Sequence, residues 1–156
     1  AGACAWRLAA VAAAVAAAAG ADAAKLSPRR VKLEAGMTWA NVAWGYKVGG
    51  NDDIDGAKAV NLDPDFYNAK QVQELHSKGA IVTCYISVGT SENFRSDYKE
   101  NQEAWDAVTL GVMSNWDEEK WLDISRPDEL MALMRPRFLR AQAIGCDAIE
   151  PDNMAC

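Results

Sequence analysis

The stretch AIVTCYI, residues 80–86, decides the fold of this chain, because it is apolar and β-branched almost throughout. Such a run is typical of a strand buried on both faces, as the strands of parallel sheets are. Gly79 precedes the run at a position where a helix would end in a left-handed residue, and the polar loop 87–91 follows it. We therefore expect a central parallel strand that is entered from a helix.

The segments before this strand repeat the same alternation. Residues 39–46 and 59–62 are short apolar runs that predict two strands, and a dense turn signal at 49–53 separates them. Asn68 is placed to cap a helix that has Val72 and Leu75 on one face. The sequence thus predicts strand, strand, helix and strand in this half of the chain.

The segments after the strand are less regular. Residues 92–120 show no clean period and indicate irregular helix and loop. A helix follows, with Ser125 and Asp128 at capping-box spacing, an expected kink at Pro136 and a closing Gly145. Residues 146–150 then predict a fourth strand.

Parallel strands joined by helices define an α/β fold. A complete (β/α)8 barrel of the TIM type takes about 250 residues, so four strands in 156 residues correspond to roughly the first four β/α units of such a barrel. A complete small doubly wound domain is the alternative.

The N-terminal residues differ from all that follow. Arg7 precedes an apolar run over residues 8–19 and small residues at 20–24, which is typical of a signal peptide. We expect a signal peptide at 1–24, a linker at 25–37 and a partial barrel domain at 38–156, in a secreted protein with no membrane association in its mature form. An Ala-rich helix or a short anchor is the alternative.

Composition limits the partners. A net charge of −6 disfavours nucleic acid, which requires clustered cationic side chains, and favours a cationic ligand. The expected mature part has three cysteines, Cys84, Cys146 and Cys156, so their pairing stays open. We expect His76 to be a surface residue, and we predict neither a metal site nor a cofactor.

Acidic residues follow the predicted strands. Asp63 ends the second strand, and Glu150 and Asp152 end the fourth. Because side chains alternate along a strand, Glu150 and Asp152 should point the same way, towards the mouth of a barrel. Paired carboxylates in different environments are what glycoside hydrolysis requires.

Three motifs in order strengthen this interpretation: YISVGTSE at 85–92 with Arg95 and Asp97, WxxExWLDI at 116–124, and GxDAxEPDN at 145–153. Together they resemble glycoside hydrolase family 114, the endo-α-1,4-polygalactosaminidases, which include spherulin 4-like proteins. The resemblance covers the N-terminal half of such a barrel, from about Trp39 onwards.

The resemblance implies hydrolysis of an α-1,4-linked galactosamine polymer, a cationic polysaccharide. It implies a nucleophilic or charge-bearing role for Asp152, with Glu150 as the neighbouring catalytic candidate. The acid/base glutamate of a later strand has no counterpart here, so we expect these residues alone to be inactive. Residues that match family motifs are candidates for substrate binding: Asp63, Tyr85, Arg95, Glu119, Asp123 and Asn153.

Several alternatives remain at this stage. Arg95 is also consistent with a surface salt bridge, and residues 150–153 or 63–65 with simple turns. The segment 117–119 is expected to be mostly solvated apart from Glu119. Among Trp105, Trp116 and Trp121 we expect core residues and at most one sugar contact.

A non-catalytic secreted carbohydrate-binding or structural protein on the same barrel is the second functional hypothesis. A lyase on an unrelated barrel ranks last, because no lysine ends a strand.

Overall fold

A computed structural model describes residues 30–42 and 56–154. Its elements are β1 (Trp39–Asn41), β2 (Ala59–Leu62), α1 (Ala69–Ser77), β3 (Ile81–Ser87), β4 (Thr90–Glu92), α2 (Ser96–Glu100), α3 (Gln102–Asp106), β5 (Thr109–Met113), β6 (Trp116–Leu122), α4 (Pro127–Ile144) and β7 (Ala148–Asp152). The expected signal peptide, the linker up to residue 29, residues 43–46 of the first strand, the turn at 49–53 and Cys156 lie outside the described residues.

The described residues form a parallel sheet in the order β1-β2-β3-β7. Tyr85 of β3 lies opposite Glu150 of β7, and Ser87 lies opposite Asp152. Helix α1 connects β2 to β3, helix α4 leads into β7, and both pack against the sheet. This arrangement confirms the predicted α/β fold with parallel strands and helical crossovers.

The two faces of the sheet differ in chemistry. Val60, Leu62, Val82 and Ile86 lie on one face and form a core with Val72, Leu75 and Ala141 of the covering helices. Thr83, Tyr85 and Ser87 alternate with this apolar set and lie on the opposite face. The central strand is therefore largely buried, as expected, but only one of its faces is apolar.

Helix α1 begins where its sequence indicates. The Asn68 side chain accepts hydrogen bonds from the backbone of Lys70 and Gln71, and the Gln71 side chain returns one to the backbone of Asn68. Gly79 follows the helix with φ of +83°. Both the predicted cap and the predicted left-handed glycine are confirmed.

The prediction of irregular helix and loop over residues 92–120 is wrong for much of that segment. Strands β4, β6 and β5 form an antiparallel sheet in this order, with the short helices α2 and α3 between β4 and β5. The charged sequence of β6 hides the usual alternation, and register shifts interrupt the β5–β6 pairing. Trp105 is buried in a second core with Tyr98 and Leu122, as expected for a core tryptophan.

Helix α4 begins at Pro127, and no side chain caps its first turn. The predicted capping box of Ser125 and Asp128 is therefore wrong: Ser125 donates to Asp123 instead. The helix runs through Pro136, whose expected kink stays a prediction, and ends at Gly145 with φ of +98° as predicted. The fourth parallel strand occupies Ala148–Asp152, two residues later than predicted, because the backbone of Cys146 still bonds to the end of the helix.

Cys84 of β3 and Cys146, just before β7, form a disulfide on the apolar side of the sheet. Nearby, His76 Nε2 lies 2.9 Å from Asp147 Oδ2, and its side chain is 20% exposed. The expectation that His76 is a surface residue is thus corrected, since it is half-buried against a buried carboxylate. Within the described ranges, no helix is both long and apolar enough to cross a bilayer.

Candidate active site

The acidic residues predicted at the strand ends lie along the carboxyl edge of the parallel sheet. Glu150 and Asp152 occur on the same face of β7, beside Tyr85 and Ser87 of β3. Glu150 is exposed and accepts a hydrogen bond from Asn61 Nδ2 at 3.0 Å, whereas Asp152 is half-buried. The two carboxylates therefore stand in different environments.

Tyr85 joins β3 to the end of β7. Its ring is buried, and it lies on the same face of the sheet as the Asp152 carboxylate. Burial, followed by the negative charges of Glu92 and Asp152, raises the pKa of Tyr85 well above its ordinary value. The phenol consequently stays protonated and acts as a donor.

Arg95 lies at the centre of a buried ion cluster. Its guanidinium donates to both carboxylate oxygens of Asp63, at 3.1 and 2.9 Å, and to Asp65 at 2.6 Å. It also donates to both carboxylate oxygens of Glu92, and only 7% of the residue is exposed. The surface salt bridge considered for Arg95 is therefore wrong, because three carboxylates surround its buried guanidinium.

The electrostatics of this cluster are strongly coupled. Burial alone would lower the pKa of Arg95, but hydrogen bonds to Glu92 and Asp63 outweigh it, so the pKa is raised. Burial raises the pKa of Glu92, while Arg95 and Arg137 act against that rise. Arg137 also pairs with Asp97 at 2.6 Å, and its guanidinium lies 4.4 Å from the centre of the Trp105 ring.

Asn153 connects the end of β7 to the antiparallel sheet. Its Nδ2 lies within 3.0–3.3 Å of three acceptors, Ser87 Oγ, Thr90 Oγ1 and Glu119 Oε2. Thr90 Oγ1 also donates to Glu119 Oε2 at 2.5 Å, and Glu119 is only 5% exposed. Asn153 adopts φ of +59°, a conformation that asparagine tolerates better than most residues. As expected, Glu119 differs from its solvated neighbours Asp117 and Glu118.

Gly89 lies directly against Asn153, and a Cβ atom at residue 89 would overlap the backbone carbonyl of Asn153. We predict that Gly89→Ala displaces Asn153 and destabilises the protein by about 1–3 kcal/mol. Chemical denaturation measures the loss, and Gly111→Ala is the control, since a Cβ there meets open space. Equal free energies of unfolding for the two variants would contradict this prediction, because Asn153 would then move without loss of stability.

Asp123 is the candidate that the structure does not bring into these networks. Its carboxylate accepts from the backbone and hydroxyl of Ser125, and these bonds lower the pKa of Asp123. It thus stabilises the turn before α4. Asn61, Thr90 and Arg137 were not predicted as site residues. Thr90 lies within the motif at 85–92, and Asn61 is the polar residue inside an apolar run.

Within residues 30–42 and 56–154, no group of three His, Cys, Asp or Glu side chains is arranged to hold a metal ion. The site instead places a pair of carboxylates at one strand end, among hydroxyl, phenol and amide groups. Barrel glycoside hydrolases place their catalytic carboxylates at such a carboxyl edge of a parallel β/α sheet.

Comparison with known proteins agrees with this class. The family model described as glycoside-hydrolase family GH114 matches residues 16–155, and the chain belongs to this family. No curated protein sequence matches it significantly.

Solved structures show the same fold. The Aspergillus fumigatus Ega3 complex with galactosamine is 26% identical, with a TM-score of 0.69 over 83% of this chain and 49% of that one. The glycoside hydrolase domain of PelA from Pseudomonas aeruginosa is 14% identical, with a TM-score of 0.60 over 74% of this chain and 44% of that one. This chain therefore spans about half the length of Ega3, which corresponds to half of a barrel.

Proposed function

We propose that the barrel containing this chain is a secreted endo-α-1,4-polygalactosaminidase, which hydrolyses a cationic galactosamine polymer. Family membership supports a glycoside hydrolase, and Ega3, which was solved with galactosamine, supports the sugar class. The observation that carries the proposal is the pair of carboxylates, Glu150 and Asp152, on one face at the end of β7.

In this proposal Asp152 is the catalytic carboxylate that the β7 end supplies. It is half-buried and lies on the same face of the sheet as the buried Tyr85. Glu150 is more exposed and is suited to contact an amine or hydroxyl of the sugar, although it remains a catalytic candidate. The second carboxyl group that hydrolysis requires would come from a later strand of the barrel.

Charge complementarity supports a cationic substrate. The chain carries a net charge of −6, while Arg95 and Arg137 beside the site are already paired with carboxylates. The exposed Glu150 and the half-buried Asp152 are thus carboxylates at the end of β7 that a protonated amine would meet. A deacetylated amino sugar is attracted to such an edge more strongly than its neutral N-acetyl form.

The test is hydrolysis by the complete barrel. Partly deacetylated galactosamine polymer should yield short oligosaccharides, whereas the fully N-acetylated polymer should be cleaved more slowly. A β-1,4-linked glucosamine polymer is the matched control, because it has the same charge with a different sugar and linkage. Binding of the galactosamine polymer without cleavage would overturn the proposal in favour of a carbohydrate-binding protein.

The signal-peptide pattern at 1–24 and the Cys84–Cys146 disulfide support export, because disulfides persist in oxidising compartments. We predict that replacing both cysteines by alanine lowers the free energy of unfolding by about 2–4 kcal/mol. Denaturation of protein collected from culture medium, with and without reductant, measures this loss. If reductant leaves the free energy of unfolding of the wild-type protein unchanged, both the disulfide and the argument for export are contradicted.

A further inference from the structure

Polar side chains of the antiparallel sheet hold the end of β7. Asn153 directly follows Asp152 in the chain. Its Nδ2 lies 3.0 Å from Ser87 Oγ, 3.1 Å from Thr90 Oγ1 and 3.3 Å from Glu119 Oε2. None of these three partners is more than 5% exposed. The Asn153 amide is therefore engaged by buried protein groups.

The hydrogen atoms of this network can be assigned. The Thr90 hydroxyl has one hydrogen and donates it to Glu119 Oε2 at 2.5 Å. The Ser87 hydroxyl, 2.6 Å from Thr90 Oγ1, must then be the donor to Thr90. The Asn153 amide nitrogen only donates. The chain of hydroxyls thus ends on Glu119 Oε2, which accepts from both Thr90 and Asn153.

Backbone contacts tie the same strand end to the loop after β3. The Val88 amide donates to the Asp152 carbonyl at 3.1 Å. Gly89 leaves room for the Asn153 carbonyl, and its own carbonyl accepts from the Leu122 amide of β6 at 2.9 Å. The end of β7 is therefore attached to the antiparallel sheet by backbone as well as by side chains.

We propose that Glu119 is a positioning residue: through Asn153 it fixes the end of β7 and, with it, the Asp152 carboxylate. Only 5% of Glu119 is exposed, so a polymer has little access to it. Glu119 and Asn153 then act on the reaction without serving as sugar ligands. The inference rests on the proposed function only for the catalytic role of Asp152.

The kinetic test uses Glu119→Leu in the complete barrel, which removes the acceptor and nearly keeps the side-chain volume. Because a misplaced catalytic group costs up to about a hundredfold in rate, kcat on partly deacetylated galactosamine polymer should fall about ten- to hundredfold at an unchanged KM. Glu119→Gln keeps an acceptor oxygen for Thr90 and Asn153 and should recover most of this loss. Glu118→Leu, at the exposed neighbouring position of β6, is the matched control and should keep full kcat.

The two kinetic constants separate positioning from sugar binding. If Glu119 bound the protonated amine of the sugar, Glu119→Gln would lose that charge and raise KM. Such a rise in KM, or an unchanged kcat in folded Glu119→Leu, would overturn the inference.

Amide hydrogen exchange tests the anchoring without any hydrolysis. Since the Val88 amide donates to the Asp152 carbonyl, its exchange rate reports how firmly residue 152 is held. Glu119→Leu should accelerate exchange at Val88 by about tenfold. Exchange should stay unchanged at Asp147, just before β7, whose amide donates to the Val82 carbonyl at 2.8 Å.

Asn153→Asp keeps the test independent of whether Glu119→Leu folds. Aspartate tolerates the positive φ of this residue, but it removes the amide donor and places a second carboxylate beside Glu119. It should give the same local acceleration at Val88. Wild-type exchange at Val88 in both variants, or equal acceleration at Val88 and Asp147, would overturn the inference. A wild-type barrel that cleaves no galactosamine polymer, yet shows the local acceleration in its variants, would refute the proposed function and leave the anchoring supported.

Discussion

Replacing Arg95 with methionine should lower the free energy of unfolding by about 3–5 kcal/mol, because it leaves buried carboxylates without their cation. Asp63 is 3% exposed and Glu92 is fully buried, and both accept hydrogen bonds from the Arg95 guanidinium. Methionine preserves much of the side-chain length, so the lost charge dominates over lost packing. Urea unfolding should show a lower midpoint with an unchanged slope.

The pH dependence of this defect distinguishes charge from packing. Burial already raises the pKa of Glu92 above its ordinary value, and Arg95 opposes that rise. Without Arg95 the folded-state pKa rises further above the unfolded value, so stability is lost as the pH rises through it. The defect should therefore be larger near neutral pH than at about pH 5.

Arg126→Met is the matched control for this prediction. Arg126 pairs with Glu129 one helical turn away, and its side chain is 36% exposed. An exposed pair of this kind contributes about 0–1 kcal/mol. Equal losses in the two variants, or a pH-independent loss for Arg95→Met, would contradict the buried-cluster account.

The second large effect is expected from Asp152→Asn, which keeps the shape of the side chain and removes its charge. If Asp152 is the catalytic carboxylate, kcat should fall by at least about a thousandfold, as for other removed catalytic groups. Asparagine matches aspartate in size, and residue 152 is only half-buried, so the fold should be preserved. Asp117→Asn, at an exposed position of β6, is the control and should keep full activity.

The order of the parallel strands and of the two long helices could be read from the sequence because local signals specify it. The apolar run at 80–86, the Asn68 cap and Gly145 each depend on neighbours along the chain, and each led to an element that the structure contains. The acidic ends of β2 and β7 followed from the same reasoning. Periodicity and capping are properties of short segments, so one sequence suffices for them.

The buried polar networks could not be predicted in the same way. Arg95 meets Asp63 across 32 residues, and Asn153 meets Glu119 across 34. Nothing local distinguishes such an arginine or glutamate from a solvated one. The antiparallel sheet was missed for a related reason. The sequence of β6 is highly charged, because its beginning is exposed and Glu119 on one of its faces takes part in the buried polar network.

The most direct test of the account is the release of new reducing ends from partly deacetylated galactosamine polymer by the complete barrel. Wild type, Asp152→Asn and Asp117→Asn are compared under identical conditions. We expect rapid cleavage by wild type and Asp117→Asn, and at least about a thousandfold less by Asp152→Asn. Undiminished cleavage by Asp152→Asn would contradict it, because the chemistry would then lie elsewhere than at the end of β7.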